Sequence, residues 1–101
     1  MDDARPDGGV FAAIAAKLTV FALANGVDLA KSEDHRRLEW YSDGFERGIL
    51  VATDGAGFGL ALLKWKSGQA DDAEPHPFRD GVPAGEVRKL LDEAINAANA
   101  L

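Results

Sequence analysis

At 101 residues the chain has the length of one domain on one core. Its composition, 47% hydrophobic and 28% charged, is that of a folded protein rather than a disordered one. A net charge of −6 and a pI near 4.7 oppose direct binding to DNA, RNA or an anionic membrane, whose phosphates are met first by lysine and arginine.

Two further bounds follow. A domain of this size buries only roughly 60–70% of its unfolded surface, so it gains from self-association. The chain has no cysteine, which rules out disulfides, thiolate metal sites and cysteine nucleophiles. That composition is compatible with a reducing cytoplasm, the compartment expected for it. A single α+β domain over 1–101 is the starting expectation, with no cofactor and no metal implied.

The first segment, "MDDARPDGG", carries three aspartates and one arginine. Residues 1–7 read as a flexible N-terminus, and their charge makes the apolar stretch that follows a poor export signal. Residues 10–24, "VFAAIAAKLTVFALA", predict a helix, with Asp7 as N-cap and Gly26 as the C′ stop. About fifteen residues fall short of the roughly 20 needed to cross a bilayer. Val10, Phe11, Ile14, Leu18 and Phe21 form one apolar stripe; Ala13, Ala16, Val20 and Leu23 form another. A helix apolar nearly all round is built for burial on more than one side.

Residues 27–35 read as a polar connection, and 36–66 as a three-stranded antiparallel meander. Asp43-Gly44 is a two-residue hairpin turn, since both central positions of that turn need positive φ. It pairs 36–42 with 45–53, and a second turn at 54–57 returns the chain as 58–66. A competing reading makes 33–41 a short helix capped by Ser32. Alternation puts Leu38, Trp40, Phe45, Ile49, Val51, Phe58, Leu60 and Leu62 on one face. Leu50, Ala52, Ala61, Leu63 and Trp65 fall on the other, with Gly48 and Gly59. Both faces are apolar, so both need a cover.

Residues 67–82, rich in proline, glycine and acid, read as a long exposed loop pinned by Phe78. A final helix runs on from Pro83 with Val87, Leu90, Leu91, Ala94, Ile95 and Ala98 inward. Arg88–Asp92 and Lys89–Glu93 make i,i+4 pairs on its outer side. The expected order is α-β-β-β-α.

The chemistry-bearing patterns are few. Gly55-x-Gly57-x-Gly59 follows an aliphatic run, as a nucleotide-binding loop would, but a dinucleotide fingerprint needs G-x-G-x-x-G and a full helix after it. The segment after these glycines, "LALLKWK", is too short for that helix and alternates as a strand, so a hairpin is the better reading. Asp71, Asp72, Glu74, His76 and Asp80 hold metal-ligand letters without calcium-loop spacing, and prolines on both sides of His76 impose extended backbone. The serines Ser32, Ser42 and Ser67 and the two histidines have no nucleophile elbow around them. Arg47 faces Trp40 across the first hairpin, with Lys64 beside it: either an anion contact or two cations lying over apolar surface.

Double-stranded-RNA-binding domains share the α-β-β-β-α order, with a lysine cluster opening their last helix. Here that position reads "PAGEVRK" in an acidic chain. Dimeric adaptors and secretion chaperones share the order too, so order by itself implies no function. The expectation is a non-catalytic protein-binding or regulatory module, acting as a homodimer through apolar helix and sheet surface. Its candidate residues are Leu50, Ala52, Ala61, Leu63, Trp65, Val20 and Leu23. The alternatives are an acidic inhibitor that mimics nucleic acid, and a small-molecule site between the first helix and the sheet.

Overall fold

Asp43 and Gly44 sit at φ of 53° and 84°, the pair of positive values that a tight antiparallel hairpin demands. Around this turn the computed structural model, which describes residues 9–32, 34–53 and 57–101, builds one sheet. After a single 3-10 turn at Gly9–Phe11 come α1 (Ala15–Asn25), β1 (Asp28–Lys31) and β2 (His35–Ser42). Then follow β3 (Phe45–Thr53), β4 (Phe58–Trp65), β5 (His76–Val82) and α2 (Ala84–Asn99). The five strands lie side by side in chain order, every neighbour antiparallel.

The architecture is therefore α+β, but the three-stranded meander is its centre and not its whole. The expected connection at 27–35 contains β1, which pairs Leu29 with Leu38. Four residues are too few for alternation to register as a pattern. The expected loop at 67–82 contains a 3-10 turn at Ala70–Asp72 and then β5. Pro77 and Gly81 give β5 the composition of a loop, yet an edge strand needs ladder partners on one side only, so it tolerates both. The alternative short helix at 33–41 is replaced by β2 from His35 onward. Expectations on residues 1–7, including the Asp7 cap, and on residues 54–56 of the second turn lie outside the described residues.

Register reproduces the two faces. Leu38, Ile49 and Leu62 stand in one row, and Val51 and Leu60 face each other in the next. The helices cover this side: Phe11, Ile14, Leu18 and Phe21 from the first segment join Val87, Leu91, Ala94 and Ala98 of α2 in one core. Gly26 ends α1 in the left-handed region, with its N–H on Ala22 O. Pro83 is the N-cap of α2, one position earlier than its sequence reading. On the outer side of α2, Arg88 meets Asp92 at 2.9 Å as expected. Lys89 instead pairs with Glu86 at 3.7 Å, because Glu93 is turned toward Arg79 on β5 at 3.5 Å.

Candidate functional site: an uncovered sheet face

Three side chains expected to meet at the end of the first hairpin do meet, in the row Trp40–Arg47–Lys64. Their partner is the C-terminal turn of α2. Arg47, only 3% exposed, donates from Nη1 to Ala98 O at 2.7 Å and to Leu101 O at 3.3 Å, and from Nε to Ser42 O at 3.1 Å. Lys64 Nζ donates to Leu101 O at 3.0 Å and lies 4.2 Å from the centre of the Phe45 ring. Trp40 Nε1 donates to Asn99 Oδ1 at 2.7 Å. The last carbonyls of a helix carry its negative pole, and these cations occupy that pole, where Ala98 O also accepts the Leu101 N–H at 3.2 Å. Arg47 is thus a clamp on α2, engaged by main-chain oxygens.

Among the described residues the sheet's other face carries no α-helix, only the β4–β5 connection with its 3-10 turn at Ala70–Asp72. Leu50, Ala52 and Ala61 form the middle of that face, and small residues there leave a trough. Between β3 and β5 the trough opens into a lobe of about 450 Å³ floored by Leu50, Ala52, Gly59 and Ala61 and walled by Pro77 and Phe78. The wall follows from two irregularities in β5. Ala61 pairs with Pro77 and Leu60 with Arg79, which leaves Phe78 as an extra residue; Phe58 then pairs with Val82. A bulge of this kind re-aims a side chain, and Phe78 packs partly against the core while bordering the lobe.

A second lobe, about 320 Å³, lies on the other side of Leu50 and Ala52 and reaches Leu63. Ala70, Ala73 and Pro75 of the β4–β5 connection wall it, with His35 and Arg37 of β2 across from them. Leu63 and Trp65 are 4% and 8% exposed, so they support this surface instead of presenting it. Gly48 makes their position possible: a Cβ there would stand 3.0 Å from Leu38 O and 3.4 Å from both the Leu63 and Trp65 side chains. Arg37 bridges to Glu39 at 2.7 Å and lies 5.3 Å from the Trp65 ring centre.

Val20 and Leu23 belong to a different surface. They project from α1 on the helical side of the molecule, 61% and 79% exposed. Ala16, Lys17 and Arg88 border a shallow hollow beside Val20. The space between α1 and the sheet, where a small-molecule site was an alternative, is filled by Phe11, Ile14, Leu18 and Phe21, each at most 1% exposed.

At the β1–β2 turn, Ser32, Asp34 and His35 come together. Ser32 Oγ is 2.9 Å from His35 Nδ1 and 3.2 Å from Nε2, and Asp34 Oδ1 is also 2.9 Å from Nδ1. A hydrolytic triad relays through opposite ring nitrogens, with carboxylate on one and hydroxyl on the other. Here hydroxyl and carboxylate crowd the same edge and touch each other at 3.4 Å, which is the geometry of a tied turn. The hydrogen bond from His35 holds the Asp34 carboxyl below its usual range. Among the described residues no group of three or more acidic or histidine side chains converges as a metal site requires. None of their helices is long and apolar enough to cross a membrane.

Comparison with protein-family models, with curated proteins and with solved structures gives no match.

Sequence reasoning singled out Phe78 as the residue that pins this segment, and it does pack against the core, but missed that Pro77, Phe78 and Asp80 of β5, with Ala73 and Pro75 before it, border the trough. Their proline and acid content concealed that they fold back along the sheet. The apolar middle of the face, Leu50, Ala52 and Ala61, was legible from alternation.

Proposed function

We propose that this protein is a non-catalytic protein-binding module of the cytoplasm that acts as a homodimer. The trough on the uncovered sheet face receives the partner protein, and the outer side of α1 joins the two copies. The observation that supports the reading best is the trough itself: two lobes meeting on the apolar floor of Leu50 and Ala52, on a face that no α-helix of the described residues covers. Docking by strand addition is the less favourable route. β1 offers only four residues at its free edge, and β5 carries Pro77 and two register slips.

The two surfaces have opposite shapes. The trough is recessed and suits an inserted segment, while Val20 and Leu23 stand out from α1 and suit burial against a like helix. They also lie on opposite sides of the molecule, so one copy can hold its twin and a partner together.

A photo-crosslinking residue placed at position 23 or at position 50, with irradiation in a native extract, separates the two roles. Position 23 is expected to yield a product of twice the chain mass containing only this protein. Position 50 is expected to yield a product with a different protein. Self-products alone at both positions, or none at either, would overturn the reading.

A further inference from the structure

Charged side chains of both signs border the trough. Asp80 borders one lobe and Asp34 the other. The connection that walls the second lobe exposes Asp71, Asp72 and Glu74 between Ala70 and Pro75. Two arginines also border the lobes, but each is already matched by a carboxylate: Arg37 by Glu39 and Arg79 by Glu93. His35 is matched in the same way by Asp34. Asp71, Asp72, Glu74 and Asp80 have no ion-pair partner among the described residues. Asp80 thus lines the first lobe uncompensated, and three more uncompensated acids sit on the connection that walls the second.

From this complementarity we infer that the trough takes a basic amphipathic segment of the partner protein, with apolar side chains on Leu50, Ala52 and Ala61 and lysines or arginines toward the rim. This rests on the reading of the trough as the partner-binding face and adds the partner's chemistry to it. Rim charges steer the approach and reject acidic or like-charged segments, while the desolvated centre sets how long the segment stays. A mimic of nucleic acid would need only the charges. A second copy would bring the same acidic rim against itself, a like-charge juxtaposition that opposes docking.

The test uses three synthetic peptides about two heptads long. One has leucine at helical spacing with lysine elsewhere, one replaces each lysine by glutamate, and one has the leucine–lysine composition in an order that destroys the apolar face. Binding is read by calorimetry and by amide shifts in the intact protein. The leucine–lysine peptide is expected to bind and to shift the amides of Leu50, Ala52, Gly59 and Ala61. Neutralising the rim with Asp71→Asn, Asp72→Asn, Glu74→Gln and Asp80→Asn is expected to weaken it about tenfold, the combined effect of several exposed pairs. These four side chains are exposed, so the variant keeps its fold, checked by its circular dichroism.

Equal binding of the glutamate peptide, or shifts centred on Val20 and Leu23, would overturn the inference. So would equal binding of the disordered-face peptide, which would mean ionic contact alone. If no peptide perturbs the trough while position 50 still cross-links to another protein, the basic chemistry falls and the docking face stands. If position 50 captures nothing, the reading beneath it falls.

Discussion

Replacing Arg47 by methionine tests whether that side chain holds the fold together or waits for an external anion. Its guanidinium gives hydrogen bonds to Ala98 O, Leu101 O and Ser42 O, of which the bond to Ala98 is buried. Ala98 O keeps the Leu101 N–H at 3.2 Å, so what is lost there is a charge-assisted hydrogen bond, worth about 1.5–3 kcal/mol. The other two oxygens are partly buried and recover water in part. Methionine retains much of the apolar stem, and a desolvated charge disappears, which offsets some of the loss. A net destabilisation of about 2 kcal/mol is expected, a large share of the roughly 5–15 kcal/mol typical of a domain. In a chain of this size that lowers the melting temperature by about 10 °C.

Urea unfolding followed by tryptophan fluorescence reads it, because Trp40 is tied to Asn99 in the same α2 turn. Variant and wild type are compared at one concentration, since association shifts apparent stability. Arg47→Lys is expected to fall between them, because one ammonium cannot reproduce the three-way fork. A methionine variant within about 0.5 kcal/mol of wild type, the range of an ordinary surface change, would refute the clamp. If the same variant also lost binding of inorganic phosphate, followed by phosphorus NMR, the anion site would stand instead.

Gly48→Ala is expected to cost about 1–3 kcal/mol in the same unfolding assay, because its Cβ would meet Leu38 O at 3.0 Å in a central strand that cannot yield freely. Gly44→Val is expected to destabilise the first hairpin by about 1–3 kcal/mol, since the position holds φ at 84°. Asp34, its pKa lowered first by the hydrogen bond from His35, contributes above its unfolded pKa and loses that contribution as pH falls through the folded one. A carboxyl titration by NMR is therefore expected to find Asp34 titrating at lower pH in the wild type than in His35→Phe; identical curves would contradict the contact.

The meander was readable because its signals are local. Asp43-Gly44 specifies a turn by its own φ values, and alternation from Leu38 to Leu62 then fixes which side chains share a face. The edges were not, for physical reasons. β1 is stabilised by pairing with β2 and by α1 above it, and four residues carry too little pattern of their own. β5 exists through its ladder with β4, against the preferences of Pro77 and Gly81.

The same divide runs through the site. Leu50, Ala52 and Ala61 were visible from period-two patterning, whereas the walls from Phe78 and Pro75 depend on how a distant segment folds back. Arg47 and Lys64 were paired correctly with Trp40 from register alone. Their partner, the end of α2, is set by tertiary packing some fifty residues away, as the Arg47–Ala98 bond spans 51 positions.

Sedimentation equilibrium on the wild type, on Val20→Glu with Leu23→Glu, and on Leu50→Asp tests most directly whether this is a self-associating module with a separate partner face. Val20 and Leu23 are exposed enough that their change leaves the fold intact, within about 0.5 kcal/mol. A dimer is expected for the wild type and for Leu50→Asp, and a folded monomer for the α1 double variant. A wild type that stays strictly monomeric at working concentration, or a dimer lost through Leu50→Asp and kept in the α1 variant, would contradict it.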